Sequence, residues 1–291
     1  MTDTLCLDLY KQDNLSGMAS QAQTLASESR ALFFDVFGTC VDWRKSVTNA
    51  LQESADKALH ESRSISPAVR EKAQQYTIGT WGEFAQEWRT TYYKFTRDLA
   101  KDPSLSWKTV DDHHLESLRD ILAGRGLMDT TQSIGNLWTD DQIKYLSTVW
   151  HRLESWPDTN EGLKVLGTRY ETATLSNGNI SLLNDMQAFS GMKFTHTFSS
   201  ELFGSYKPNP AIYNGAADRL GLKQAQCIMV AAHLGDLEAA KGCGLSTIYV
   251  ERPQEETYDV AMAREKGFVD LWIKEDEGGF LGICRELGLR E

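Results

Sequence analysis

Asp35 closes the apolar run Ala31-Leu32-Phe33-Phe34 and opens the pentad Asp35-Val36-Phe37-Gly38-Thr39. An apolar run that stops at a carboxylate, then a glycine and a hydroxyl, predicts a buried strand that hands an acid to a tight loop. In open α/β sheets ligands bind at that carboxyl end of the strands. A carboxylate held there can act as a covalent nucleophile. Three further polar clusters follow: Leu175-Ser176-Asn177-Gly178-Asn179, Tyr206-Lys207-Pro208 and Ala232-His233-Leu234-Gly235-Asp236. One such loop means little, but four on one sheet edge form one pocket. Many enzymes with an aspartyl nucleophile carry a second Asp two residues on, to protonate a leaving phosphate ester. Here that place is taken by Phe37.

The elements that must position these groups are legible in outline. The first strand is expected at about 31–36, followed from about 45 to 157 by helical patterning without a convincing strand. Ser66-Pro67 reads as a helix start, with Ser as N-cap and Pro at the first helical position. Trp81, Phe84, Trp88, Tyr92 and Phe95 recur at steps of three and four, one face of a long amphipathic helix, and Leu146, Val149, Trp150 and Leu153 repeat the pattern. Asp158-Thr159-Asn160-Glu161 has the spacing of a capping box. Beyond it strands are expected at Tyr170 to Leu175, Phe194 to Ser200, Cys227 to Ala232 and Ser246 to Val250, with helices between them at Pro210 to about Leu220 and about Asp236 to Cys243. That alternation implies a doubly wound α/β domain, a parallel sheet covered by helices on both faces. It is interrupted after its first strand by a helical insertion. The expected divisions are an N-terminal extension at 1–28, a core at 29–44 with 158–291, and a helical cap at 45–157.

Bulk properties narrow the function classes. An apolar fraction of 41% with 24% charged residues is that of an ordinary globular protein. A formal net charge of -11 argues against nucleic-acid partners and against an anionic membrane surface. Cys6, Cys40, Cys227, Cys243 and Cys284 are odd in number and lack paired spacing. That excludes a zinc ribbon, argues against a disulfide framework and points to a reduced, cytoplasmic compartment. No segment has the unbroken apolar length of a membrane helix. Asp3, Asp8 and Asp13 do not fit a secretory signal.

With these residues in place the chain resembles the haloacid dehalogenase superfamily, most closely its type II L-2-haloacid dehalogenases. Asp35 matches the nucleophile, Thr39 its hydroxyl partner, Ser176 and Asn177 the second motif, Lys207 the third and Asp236 the fourth. Trp88-Arg89 resembles the cap helix whose Arg grips the leaving halide, and Tyr213, six residues after Lys207, matches a substrate-site tyrosine. The resemblance covers roughly residues 30 to 275. It implies that Asp35 attacks a carbon bearing a leaving group, and that Lys207 keeps Asp35 ionised. Ser176, Asn177 and backbone N–H groups would bind a substrate carboxylate or steady the ester oxygen. Phe37 would line the substrate site, and a base from the fourth motif would help water attack the ester. A small-molecule substrate is implied, with no metal or cofactor, and a homodimer is compatible.

Departures from the family pattern matter as much. The dehalogenases typically open the fourth motif with two serines and an asparagine, and place a Trp before the Asp. This chain has Ala231, Ala232, His233 and Gly235 there, and Phe37 replaces the usual Tyr of the first motif. The loss of two hydroxyls and an amide removes donors that position water, and Gly235 opens the pocket. His233, with an unperturbed pKa near neutrality, is the expected replacement base, oriented by Asp236.

Each assignment has a plainer competitor. Asp236 could N-cap the following helix, Arg89 could snorkel at the surface, and His233 could be a satisfied core residue. The aromatic stripe is packing first, and His113 and His114 carry no assigned role. Among functions, a metal-independent halide-displacing hydrolase leads, followed by the same mechanism on a larger or specialised metabolite. A magnesium-dependent phosphatase is disfavoured by Phe37. A non-catalytic binding protein is disfavoured by the retention of Asp35, Ser176 and Lys207 together.

Overall fold

The computed structural model describes residues 21–61, 64–102, 104–129, 131 and 134–290. The expectations for residues 1–20, including Cys6, lie outside them, whereas 21–28 form a helix that buries Ala22, Leu25 and Ala26. The sheet consists of β1 (Ala31–Phe34), β2 (Glu171–Ser176), β3 (His196–Ser199), β4 (Cys227–Ala231), β5 (Ser246–Val250) and β6 (Leu271–Ile273). Their order is β3-β2-β1-β4-β5-β6, with every neighbouring pair parallel. This is the doubly wound α/β arrangement, and the strand order reverses beside β1, where the crevice for a ligand opens.

β1 is buried on both faces, which is why it reads as a continuous apolar run rather than an alternation. Leu32 and Phe34 pack into one core with Ile228, Val230 and Ile248. Ala31 and Phe33 pack into the other with Ala173, Met229 and Ala231. Each buried Phe contributes about 2–3 kcal/mol relative to exposure. The strand that delivers Asp35 is therefore anchored from both sides.

Between β1 and β2 lie the helices Trp43–His60, Pro67–Gln74, Ile78–Lys101, Val110–Gly124, Asp140–Ser147 and Thr159–Leu166. Ser66 accepts the Val69 N–H and Pro67 follows it, as its sequence position predicts. On the Ile78–Lys101 helix Trp81, Phe84, Trp88 and Tyr92 are buried and Phe95 is partly so. Arg89 also points inward and is only 2% exposed, so it is not a snorkelling surface residue. His114 stacks on Trp150 with ring centroids 4.7 Å apart, and burial keeps its pKa well below the usual value, so the ring packs neutral.

Three local expectations need correction. The capping box at Asp158 does not form. Arg252 takes both its carboxylate oxygens, at 2.7 and 2.8 Å, and Phe280 N–H donates to one of them, which turns the side chain away from the start of its own helix. The helix after β4 starts at Leu234 rather than about Asp236, so His233 is the N-cap residue and Asp236 lies in the first turn, free of a capping role. β6, three residues long, is absent from the strands expected from sequence.

Candidate active site

The nucleophile loop owes its shape to Gly38, at φ +84°, where a Cβ would also collide with the carboxylate of Glu255. The loop carbonyls are held from outside. Trp156 Nε1 donates to Gly38 O (3.0 Å), Arg252 Nε to Thr39 O (3.1 Å) and Thr159 Oγ1 to Cys40 O (2.9 Å). Buried carbonyls with fixed donors make a rigid loop. Asp35 at its head is 8% exposed.

Three side chains meet at the Asp35 carboxylate. Lys207 Nζ donates to Oδ1 at 2.9 Å. Thr39 Oγ1 donates to Oδ2 at 2.8 Å while accepting Ala232 N–H at 2.9 Å, which ties the loop after β1 to the loop after β4. His233 Nδ1 lies 3.0 Å from Oδ2. Burial opposes ionisation of Asp35, but Lys207 and His233 outweigh it and hold the carboxyl well below the usual range. These partners favour the charged form of the Asp35 carboxyl.

Lys207 bridges Asp35 and Asp236, whose Oδ2 it reaches at 2.5 Å. Burial penalises its charge, yet the two carboxylates raise its pKa above the free value. For Asp236 burial dominates and raises the pKa, partly offset by Lys207. Tyr213, expected at the substrate, instead donates to Asp236 Oδ1 at 2.5 Å from a fully buried position. It orients Asp236. Asn177, expected to bind substrate, is also turned to the protein. Its Oδ1 accepts Ser200 Oγ and Lys207 N–H, both at 2.7 Å, and its Nδ2 donates to Lys207 O at 3.3 Å. The amide therefore holds the backbone of the Lys207 loop. Ser176 is buried at the end of β2, where its Oγ accepts Gly178 N–H at 3.3 Å and keeps its own proton available.

His233 is caught between carboxylates. Besides Asp35, it has Glu255 Oε2 at 3.4 Å from Nε2, and Tyr93 Oη lies 3.2 Å from the same nitrogen. Burial lowers the affinity of the ring for a second proton, but Tyr93, Asp35 and Glu255 reverse this and push the pKa well above its ordinary value. Glu255 is itself fixed by Trp43 Nε1 at 3.0 Å, and its pKa is lowered although burial works the other way. Sequence reasoning missed Glu255 and Tyr93. A signal for Glu255 was available, because it follows β5 at the same sheet edge as the other loops. Tyr93 had only its helical spacing from Arg89.

Arg89 reaches the site from the Ile78–Lys101 helix. Its guanidinium carbon lies 4.5 Å from the Tyr93 ring, 4.6 Å from Tyr92, 5.1 Å from Phe37 and 5.5 Å from Trp43. Nη2 donates to Tyr93 Oη at 3.2 Å and approaches Phe37 O at 3.5 Å, whereas buried Nε and Nη1 meet no acceptor among the described residues. Aromatic faces attract a cation without neutralising it. The outcome is a buried cation with unused donors, beside a carboxylate nucleophile. That arrangement can displace an anionic leaving group and receive it.

The sequence comparisons agree with this geometry. The chain is 26% identical over 253 residues to (S)-2-haloacid dehalogenase 4A of Burkholderia cepacia, covering 84% of this chain and 93% of that protein. It is 26% identical over 239 residues to (S)-2-haloacid dehalogenase 1 of a Pseudomonas species (strain CBS-3), covering 79% and 88%. Among solved structures, a defluorinating L-2-haloacid dehalogenase superposes with a TM-score of 0.73 at 29% identity, over 89% of this chain and 95% of that one. The family model of haloacid dehalogenase-like hydrolases matches residues 29–244, from just before β1 to just before β5, and to this hydrolase family the chain belongs.

Proposed function

We propose that the protein is a metal-independent hydrolase that displaces halide from a 2-haloacid through an Asp35 ester, giving a 2-hydroxy acid. An Asp35 oxygen forms a bond to C2 as the carbon–halogen bond breaks, and the halide leaves with the electron pair toward Arg89. Water then attacks the ester carbonyl, the acyl C–O bond breaks, and the alkoxide product takes up a proton while Asp35 returns as carboxylate. His233, with Nδ1 3.0 Å from Asp35 Oδ2, is the group placed to handle the water proton. Ser176 and the N–H groups of the nearby loops are the donors for the substrate carboxylate. In this reading residues 45–157 act as the cap, and 29–44 with 158–291 as the catalytic core.

The observation that carries the proposal is Arg89, a buried guanidinium whose Nε and Nη1 are unpartnered beside the nucleophile loop. Phe37 supports it against a magnesium-dependent phosphatase. Its ring is buried against Tyr92, Trp150 and Arg89, where that chemistry needs a second carboxylate. Gly235, expected to open the pocket in place of the family's Trp, lies exposed in the first turn of the helix after β4 and gives no support to a larger substrate.

The test is halide and phosphate release measured side by side, with and without chelator. Chelator-insensitive halide release is expected, and magnesium-dependent phosphate release would overturn the reading. In single turnover, His233→Ala should accumulate the Asp35 ester; if none builds up, His233 is not the base.

A further inference from the structure

We infer that Glu255 is the positioning residue of the hydrolytic half-reaction: it holds the Nε2–H of His233, so that Nδ1 faces Asp35 and takes the proton of the attacking water once Asp35 is an ester. The inference rests on the aspartyl-ester reading above and assigns a partner to its base. Glu255 leaves β5 in the loop that follows Val250 and reaches the site across Gly38. The glycine is required twice there, by its positive φ and by the space the Glu255 carboxylate occupies. A carboxylate that is 7% exposed and anchored by Trp43 Nε1 is held as a fixed group rather than as a surface charge.

The groups that face His233 come from three elements. Asp35 stands at Nδ1, from the loop after β1. Glu255 stands at Nε2, from the loop after β5. Tyr93 stands beside Nε2, from the Ile78–Lys101 helix, with its oxygen also accepting from Arg89. Lys207 and Arg89 are the nearby cations, and each is paired or caged on its own side. Before reaction the ring faces two carboxylates, and both nitrogens carry protons. A fully protonated ring is no base. Ester formation converts Asp35 to a neutral group, so the Nδ1 proton loses the negative charge that held it and passes to solvent as halide is set free. The Nδ1 lone pair then faces the ester, and Glu255 keeps Nε2 protonated, which fixes the tautomer. The attacking water gives its proton to Nδ1, and the returning Asp35 carboxylate restores the starting pair. Over one turnover a haloacid and water become a hydroxy acid, a halide and one proton, so charge and atoms balance. The base is created by the first step and cannot compete with it.

Glu255→Gln keeps the shape and removes the charge. Halide release in the first turnover should stay within about threefold of wild type, while ester hydrolysis slows by about tenfold or more, so the ester accumulates. The informative readout is pH. Hydrolysis needs a neutral ring and declines on the acid side, and removal of an opposite charge at this distance should move that limb down by about one to three pH units. A limb that stays in place, or hydrolysis at the wild-type rate, would overturn the inference, since a merely structural Glu255 would lower the rate without moving the limb. Should this variant fail to fold, the wild type decides. With a pH indicator at about pH 8, one proton should leave together with halide, ahead of the hydroxy acid. A proton that appears only with the hydroxy acid would sink it. Failure of the ester reading looks different, because no halide burst would then occur in either protein.

Discussion

The two walls of the pocket treat charge in opposite ways. On the core wall Asp35, Lys207, Asp236, Thr39 and Tyr213 form a closed network in which each charged oxygen has a donor at 2.5–3.0 Å. On the helical wall Arg89 is just as buried, but it is surrounded by Phe37, Trp43, Tyr92 and Tyr93, and two of its nitrogens meet no acceptor among the described residues. Fixed partners preorganise a nucleophile, so that little reorganisation accompanies attack. Unused donors in a buried aromatic cage gain most from an anion that forms during the reaction, which is the condition for stabilising a transition state rather than a substrate. In the proposed mechanism one wall is finished before substrate arrives, and the other is completed by the leaving group.

The sharpest way to break this contrast is Asp35→Asn. It preserves shape and removes the charge that the core wall is built around, so turnover should fall by roughly 10⁴-fold or more with the fold intact by circular dichroism. Near-wild-type activity would mean that the first step is not covalent. One turnover in heavy-oxygen water should label Asp35 before product, because the product oxygen comes from the carboxylate. Next in size is Arg89→Lys, which keeps a charge and loses the planar fork. Turnover should drop by about 10²–10³-fold with little change in KM, and inhibition by added halide should weaken. An equal rise in KM would place Arg89 in substrate binding instead.

Tyr213→Phe probes the core wall at one step from the nucleophile. It removes a buried bond to a charged acceptor, worth about 1.5–3 kcal/mol, and should lower the denaturant midpoint accordingly. An unchanged midpoint would show that Asp236 is held by Lys207 alone. The smallest effect concerns how the walls are joined. His151 lies 3.0 Å from Asp111 on the Val110–Gly124 helix and 2.8 Å from Asp185 on the Ile180–Ser190 helix. Its partial burial disfavours the charged ring, but the two aspartates raise its pKa overall. A raised folded-state pKa stabilises fully below the unfolded value of about 6.5 and loses that contribution as pH rises through the folded pKa. His151→Gln should therefore cost about 1 kcal/mol near pH 5.5 and progressively less at alkaline pH. A cost independent of pH would point to packing alone.

Legibility followed local pattern. The strands β1 and β4 were readable because buried parallel strands are continuous apolar runs, and β2 and β5 because segments with β-branched residues alternate with helical ones. β6 was not, since Leu271-Trp272-Ile273 is too short to carry a period. Asp35, Thr39, Lys207 and His233 converge, the last three within 3.0 Å of Asp35, because each lies in a loop that follows a strand at the same sheet edge. Tyr213 and Asn177 were placed at the site but given the wrong partner. A residue type announces a hydrogen bond without saying to whom it is made. Asp158 failed as a cap for the same reason, with Arg252, 94 residues away, taking its carboxylate.

The sequence alone determined what is local: the apolar run that carries Asp35 to a sheet edge, the αL turn at Gly38, the Ser66 cap, and the stripe that turns Trp88 inward. Each depends on neighbours within a few positions, through steric limits on φ and ψ and the periods of strand and helix. Tertiary structure decided which charges face one another. The pairing of Glu255 with His233, the packing of Phe37 and Trp43 against Arg89, and the bridge of Lys207 between two aspartates join residues far apart in sequence. Those contacts set the protonation of the site, because a pKa responds to burial and to charges within a few ångströms, and neither quantity is written in the order of residues.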